Sequence, residues 1–495
     1  MFESAEIGHA VSKRDYEAQV PELREALLNA QYELKERGNF PLIILINGVE
    51  AAGKGETISL LNEWLDPRFI DTHAFGPPND EERAHPPEWR YWRVLPPKGR
   101  TGILFRNWYA AVLQYKLGEK AKSDDLGHFL ARVRAFERML ADEGALILKF
   151  WFHLSKDQQR KRIRELEADP HRRWQVRDIE RATVREYDRY IRAAEQILSL
   201  TSRDYAPWYI IEGADERYRN LSVGRIVLDA LRARLDEEPR AAPHAHAAPV
   251  RVSVDGKRVL DALDMSKSLS EKRYDREVLR WQSRLAELTR HKSFQKHALV
   301  AVFEGSDAAG KGGAIRRVAA ALDTRQYRIA PIAAPTEEER AQPYLWRFWR
   351  RIPGKGQFTI FDRSWYGRVL VERVEGFCAE TDWLRAYGEI NDFEWQLSDA
   401  GIVVVKFWLA IDAQTQLQRF KEREQTAFKR FKITDEDWRN RARWEDYQTA
   451  VSDMVERTST PHAPWHLIPA NDKYYARIQI LRILCRALEA VLDKT

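Results

Sequence analysis

Short apolar runs recur along the chain and are separated by longer stretches of a different periodicity. ALVAVFEG (Ala298 to Gly305), FTIFD (ending at Asp362) and GIVVVKFWLAI (401–411) read as buried strands. Between them, GAIRRVAAALD and a longer segment running to about residue 399 carry helical spacing, and the amphipathic DREVLRWQSRLAELTRHKS (275–293) leads into the first strand. Strands separated by helices of this length imply right-handed crossovers, and hence an α/β fold whose parallel sheet is covered on both faces. Ligands on such sheets collect beyond the C-terminal strand ends.

The pattern occurs twice. INGVEAAGKGETI, with Gly48, Gly53 and Lys54, is an altered copy of VFEGSDAAGKGGAI, and the offset from Gly48 to Gly305 is 257 residues. The same offset pairs RYWRVLPPKGRTGILFRNWYAAVL (90–113) with RFWRRIPGKGQFTIFDRSWYGRVL (347–370), identical at about 12 of 24 positions. It also pairs LILKFWFHLS with VVVKFWLAID, and DYAPWYIIEGAD with PHAPWHLIPAND. A period this long means tandem domains, 1–236 and 258–495, joined by the Pro- and Ala-rich linker 237–257.

Composition narrows the class without identifying it. The 495 residues exceed one ordinary core, and at 44% hydrophobic and 32% charged, with no membrane-length apolar run, they read as a soluble protein with no membrane partner. The first twenty residues have no apolar signal core, which places the protein in the cytoplasm. Cys378 and Cys485 are far apart and lack metal-ligand spacing. The net charge of +6, from 81 basic and 75 acidic residues, matters only where the basic residues cluster.

Gly305-x-x-x-x-Gly310-Lys311, between a strand and a helix, has the context of a phosphate-binding P-loop. Gly305, Ala309, Gly310, Lys311, Gly312 and Gly313 form the candidate cradle. Backbone N–H groups converge there on an anion, and Lys311 adds an ammonium. The bland alternative is a glycine turn that packs a helix on a strand. Gly312 stands where the usual motif has the hydroxyl residue that ligates Mg²⁺. Asp307 inside the loop and Asp362 at the next strand end are the carboxylates that replace it, since Mg²⁺ accepts hard oxygens and keeps several waters. Asp362 has a competing reading as a helix N-cap. Arg363 suits bidentate phosphate contact, or pairing with Glu372 or Glu375.

Two basic segments flank this site in sequence. Arg347, Arg350, Arg351 and Lys355 precede the Asp362 strand, and Arg419, Arg423, Lys429, Arg430 and Lys432 follow VVVKFWLAI, where a mobile lid is expected. Each alone reads as a solvated face, and together they describe a polyanion channel. Interleaved Trp and Phe also permit a nucleic-acid reading, but helicase-type motifs are not visible. The first copy departs where chemistry would be felt: Glu50 replaces Asp307, Phe105 replaces Asp362, Asn107 replaces Ser364, Tyr115 replaces Glu372 and Gly118 replaces Glu375. The second half is therefore the catalytic one.

GSDAAGKGG, YLWRFWRRIP, FDRSWYGRVLVERVEG, KFWL and TSTPHAPWHLIPANDKYYAR resemble the signature blocks of the second polyphosphate kinase family, over nearly the whole chain and once per half. The resemblance implies a P-loop kinase-like fold with a helical lid in each half. The fused layout resembles the subgroup that transfers a phosphoryl group from inorganic polyphosphate to AMP, giving ADP. It further implies that Asp307 and Asp362 position Mg²⁺, Lys311 contacts the donor, and Arg363, with Glu372 and Glu375, serves the nucleotide. Arg347, Arg351, Lys355 and the lid residues Arg419, Arg423, Lys429 and Lys432 would bind polyphosphate. Gly367 stands where many single-domain relatives have asparagine, which fits the AMP-preferring subgroup. A homo-oligomer is expected, and no histidine is placed to form a covalent intermediate. The competing readings are an ATP-dependent nucleoside-monophosphate kinase and a non-catalytic P-loop protein that binds polyphosphate or nucleic acid.

Overall fold

The computed structural model describes residues 1–110, 113, 123–176, 184–237, 257–427, 431 and 433–492. Most of the linker, together with Tyr115, Gly118, Lys429, Arg430 and Lys432, lies outside the described residues. The chain divides into two compact units that follow the two sequence halves, except that 79–89 group with the second half and 335–346 with the first.

In the first half the strands are β1 (Leu42–Gly48), β2 (Ile70–Ala74), β3 (Thr101–Phe105), β4 (Leu146–His153) and β5 (Trp208–Glu212). Its main helices are α1 (Lys13–Arg37), α2 (Lys54–Trp64), α3 (Ser123–Asp142), α4 (Lys156–Ala168), α5 (Tyr187–Thr201) and α6 (Glu216–Asp236). The second half carries β6 (Ala298–Gly305), β7 (Tyr327–Pro331), β8 (Phe358–Asp362), β9 (Ile402–Ala410) and β10 (Trp465–Pro469). Around them lie α7 (Glu271–Arg290), α8 (Lys311–Ala319), α9 (Glu380–Asp399), α10 (Ala413–Gln425), α11 (Asp435–Ala442), α12 (Trp444–Thr458) and α13 (Lys473–Leu492).

Each half is a five-stranded sheet, β2-β3-β1-β4-β5 and β7-β8-β6-β9-β10, with every pairing parallel. The central strands β1 and β6 are apolar at nearly every position because both of their faces are covered. Register repeats with topology: Leu42 pairs with Thr101, and its copy Leu299 with Phe358. On one face of the second sheet, Leu299, Ala301 and Phe303 share a buried cluster with Leu285 of α7, Ile315 and Val318 of α8, and Leu481 and Leu484 of α13.

The fold also buries a charge. Lys406 of β9 is fully enclosed, and its ammonium donates to Glu394 Oε2 of α9 (2.6 Å), the Tyr366 hydroxyl (2.7 Å) and the Thr458 carbonyl (2.8 Å). Trp365 Nε1 (3.0 Å) and the Tyr366 hydroxyl (2.6 Å) donate to the other oxygen of Glu394. The first half repeats the arrangement with Lys149, Glu137, Tyr109, Trp108 and Thr201. Such a pair is held by its hydrogen bonds, and removing one partner strands the other charge. Lys406→Met should therefore cost about 3–5 kcal/mol, and adding Glu394→Leu should restore much of it. Urea unfolding of the single and double variants measures both.

Candidate phosphate and nucleotide site

The site lies at the C-terminal ends of β6 and β8, where the parallel topology directs ligands. β6 ends in Gly305, whose φ of +149° and close approach to β9 exclude any side chain: a Cβ would stand 2.5 Å from the Leu409 carbonyl oxygen. The loop then turns through Ala308, at φ +61°, and closes on Gly310 at φ +106°, the N-cap of α8. Four non-glycine residues among those described have positive φ, namely Ala51, Arg106, Ala308 and Arg363, and they are two pairs at the repeat offset. Each costs about 1–2 kcal/mol in an L-residue, so both halves hold the same strained turns in place by their surroundings.

Lys311 donates to the carbonyls of Gly305 (2.6 Å) and Ser306 (3.4 Å) and lines a cavity of about 100 Å³. Burial pushes its pKa down, against the opposing pull of Asp307. Asp307 is held apart from it, because Asn440 Nδ2 of α11 donates to Asp307 Oδ2 (2.9 Å) and Arg363 Nη2 lies 3.6 Å from Oδ1. Arg363 also faces Glu436 at 3.9 Å. Burial opposes its charge, but Asp307, Glu304 and Glu436 outweigh that cost and raise its pKa. The Asp362 side chain makes no hydrogen bond or ion pair among the described residues. The capping role considered for it belongs to Ser364, whose side chain accepts from the Tyr366 N–H.

The first-half loop has lost this separation. Glu50 accepts directly from Lys54 at 2.9 Å, and the carbonyls of Gly48 and Val49 take its other two protons. That ammonium is spent inside the protein, and Phe105 offers no oxygen where Asp362 stands.

Several expected contacts are placed differently. Arg419 is buried and pins the loop from behind: Nη1 donates to Ala308 and Ala309, and Nη2 to Ala470 and Asn471, so it is not a mobile lid residue. Arg351 and Lys355 approach the other end of the sheet, since Thr359 Oγ1 donates to the Arg351 carbonyl and the Gly356 N–H donates to His297, just before β6 begins. Arg347 is buried and donates to the Ala333 carbonyl. Glu372 accepts from Arg368 (2.7 Å), while Glu375 faces Arg439 (3.0 Å), Arg443 (3.8 Å) and the Tyr447 hydroxyl (3.4 Å), so neither is the partner of Arg363. Arg423 lies one turn beyond Arg419 on α10.

The structure adds residues that the motifs did not reveal. Glu304, the penultimate residue of β6, is buried beside the cavity and accepts from Ser364 Oγ at 2.8 Å. Burial raises its pKa, opposed by the Ser364 hydrogen bond, Lys311 and Arg363. An acidic residue inside an otherwise apolar strand was the available signal. Asn440, Trp444 and Tyr447 line the cavity from α11 and α12, and the Tyr447 hydroxyl donates to Asn440 Oδ1 (3.2 Å).

Parallel α/β topology, a strained glycine loop with its own carboxylate and lysine, and a second carboxylate at the next strand end define a phosphotransferase-type site. The family model described as Polyphosphate kinase 2 (PPK2) matches residues 10–239 and again 268–495, and the chain belongs to that family. It is 60% identical to the polyphosphate:AMP phosphotransferase of Pseudomonas aeruginosa over 494 residues, covering 100% of both chains. It is 40% identical to that of Acinetobacter johnsonii over 473 residues, covering 94% of this chain and 96% of the other. A crystal structure titled as a putative polyphosphate kinase 2 from Pseudomonas aeruginosa superposes with a TM-score of 0.89 at 58% identity, covering 100% of each chain.

Because Arg419 satisfies four carbonyls from a buried position, Arg419→Met should lower stability by about 3 kcal/mol or more. Thermal unfolding measures this, and a lid role would instead leave stability unchanged and raise the KM for the donor.

Proposed function

We propose that the chain transfers the terminal phosphoryl group of inorganic polyphosphate to AMP, giving ADP, and that the second half does so. The observation that carries this reading is the contrast between two like scaffolds: Lys311 keeps a proton for the cavity and Asp362 a free carboxylate, whereas Lys54 is neutralised by Glu50 and Phe105 replaces the carboxylate. Full-length identity to proteins named for this reaction supports the substrates.

In the transfer, an oxygen of the AMP phosphate attacks the terminal phosphorus in line. The new P–O bond forms as the P–O bond to the rest of the chain breaks, which leaves ADP and a polyphosphate one unit shorter. The loop N–H groups and Lys311 hold the donor and offset charge on the transferred group, and Arg363 orients the acceptor phosphate. Asn440 and Arg363 fix Asp307, and Trp444 and Tyr447 line the cavity, where their rings would limit the access of water to the reacting phosphates. Asp307 and Asp362 provide hard oxygens of the kind Mg²⁺ takes from protein while it draws its other ligands from water and phosphate. When bound, the ion would neutralise phosphate charge. Cys378 and Cys485 are unpaired, in keeping with a cytoplasmic protein. Among the described residues no helix is long and apolar enough to cross a membrane.

Purified protein with Mg²⁺ and AMP should form ADP from long-chain polyphosphate and not from ATP. Asp362→Asn should lower that rate by more than about 10²-fold. ADP formed only from ATP would overturn the donor assignment, and undiminished transfer by the variant would overturn the site.

A further inference from the structure

Behind the cavity wall lies a buried carboxylate that the transfer leaves without a task. Glu375 ends the short helix Val371–Glu375 that follows β8; its side chain is only 7% exposed, and it does not line the cavity. A charge enclosed at a helix C-terminus is disfavoured both by burial and by the helix carbonyls, so it needs partners. α11 and α12 supply them. Arg439 lies 3.0 Å and Arg443 3.8 Å from its oxygens, and the Tyr447 hydroxyl 3.4 Å from Oε1. The same hydroxyl reaches Asn440 Oδ1 at 3.2 Å, and Asn440 Nδ2 donates to Asp307 Oδ2 at 2.9 Å. Chemistry fixes the order of these contacts: a carboxylate only accepts, so the asparagine turns its nitrogen to Asp307 and its oxygen to the tyrosine. A line of polar contacts thus runs from Glu375 through α12 and α11 to the acid of the phosphate loop.

The duplication supplies an internal control. At the repeat offset Gly118, Ala182, Thr183 and Glu186 replace Glu375, Arg439, Asn440 and Arg443. Tyr190 remains at the place of Tyr447, but its hydroxyl donates to the Gly48 carbonyl, 3.2 Å away. In that half the loop acid lies against the loop lysine, with Glu50 Oε2 2.9 Å from Lys54 Nζ. The strained arginine does not prevent this contact, since Arg106 stands 3.9 Å from Glu50 much as Arg363 stands 3.6 Å from Asp307. What the first half lacks is the asparagine and the carboxylate behind it.

We propose that Glu375, Tyr447 and Asn440 are positioning residues for the transfer: they hold Asp307 off Lys311, so that the ammonium stays available to a donor phosphate and the carboxylate stays open. Glu375 then serves the nucleotide site at second hand, through Tyr447 and Asn440, rather than by contact. The consequence for rate rests on the transfer reading; the separation of acid and lysine does not.

The test uses Asn440→Thr in the full-length protein, which installs the residue that the first half carries, with Glu375→Ala and Glu375→Gln beside it. Crystal structures of the variants give the distance from Asp307 to Lys311, and kcat and KM are measured for AMP and polyphosphate. In Asn440→Thr the Asp307 carboxylate should move to within about 3 Å of the Lys311 ammonium. Its kcat should fall about tenfold or more, while the KM for AMP stays within about twofold of the parent's. Glu375→Ala should lower kcat in the same way, and Glu375→Gln, which still accepts from Tyr447, should restore most of it. Melting temperatures close to the parent's separate these effects from unfolding. An Asp307 that stays apart from Lys311 in Asn440→Thr would overturn the proposal and assign the first-half contact to the extra methylene of Glu50. A parent-like kcat in Glu375→Ala would overturn the role of Glu375. Collapse of Asp307 onto Lys311 in a protein whose parent forms no ADP would support the positioning while refuting the transfer.

Discussion

A lysine buried in each half, Lys149 or Lys406, ties together elements that would otherwise be free to shift. The Lys406–Glu394 pair joins the strand β9 to α9, reaches the end of α12 through the Thr458 carbonyl, and fixes Trp365 and Tyr366. Those aromatic residues follow Asp362 and Arg363 after the single residue Ser364, so the charge buried in the sheet helps set the position of the groups that face the cavity. A buried ion pair adds little net stability over an apolar substitute, but it penalises every arrangement that leaves one partner alone. The half that has lost its strand-end carboxylate keeps the same pair, at 2.7 Å between Lys149 and Glu137. The constraint therefore belongs to the fold, and the chemistry is laid over it.

The same separation holds in the backbone. Ala51 and Ala308, and Arg106 and Arg363, keep left-handed conformations in both copies, and Gly48 and Gly305 make the same impossible-for-alanine approach to a neighbouring carbonyl. Strain of this kind survives only where packing over-determines it. What differs is a small set of side chains: whether an acid meets the loop lysine, whether β3 or β8 ends in a carboxylate, and whether an asparagine reaches the acid of the loop. Duplication has thus left an altered copy that shows which features are scaffold.

Much of this was legible in the sequence because the central strands are buried on both faces. ALVAVFEG and FTIFD coincide with β6 and β8, and GIVVVKFWLAI contains β9. The outer strand β7, YRIAP, escaped notice because an edge strand is largely exposed and here carries an arginine and a terminal proline, so no alternation marks it. Side-chain roles were less legible than strands. Arg419 sits in a basic run yet turns inward to four carbonyls, while Arg351 and Lys355 are separated from the site by the length of β8; spacing along the chain carries neither fact. Asn440 carried no signal, because a single polar residue on a helix rich in polar residues has no pattern around it, whereas Glu304 stood out only as an acid within an apolar strand.

The central claim, that one scaffold is used twice and only the second copy carries the transfer, is tested most directly at its matched strained arginines. Glycine at either position relieves the left-handed strain, so Arg106→Gly and Arg363→Gly should each fold as well as the parent or gain about 1 kcal/mol, which removes misfolding as an explanation. ADP formation from polyphosphate and AMP is then compared between the two purified variants. The account predicts a rate within about twofold of the parent for Arg106→Gly and a loss of at least about 10²-fold for Arg363→Gly. Equal losses in both, or a loss confined to Arg106→Gly, would contradict it.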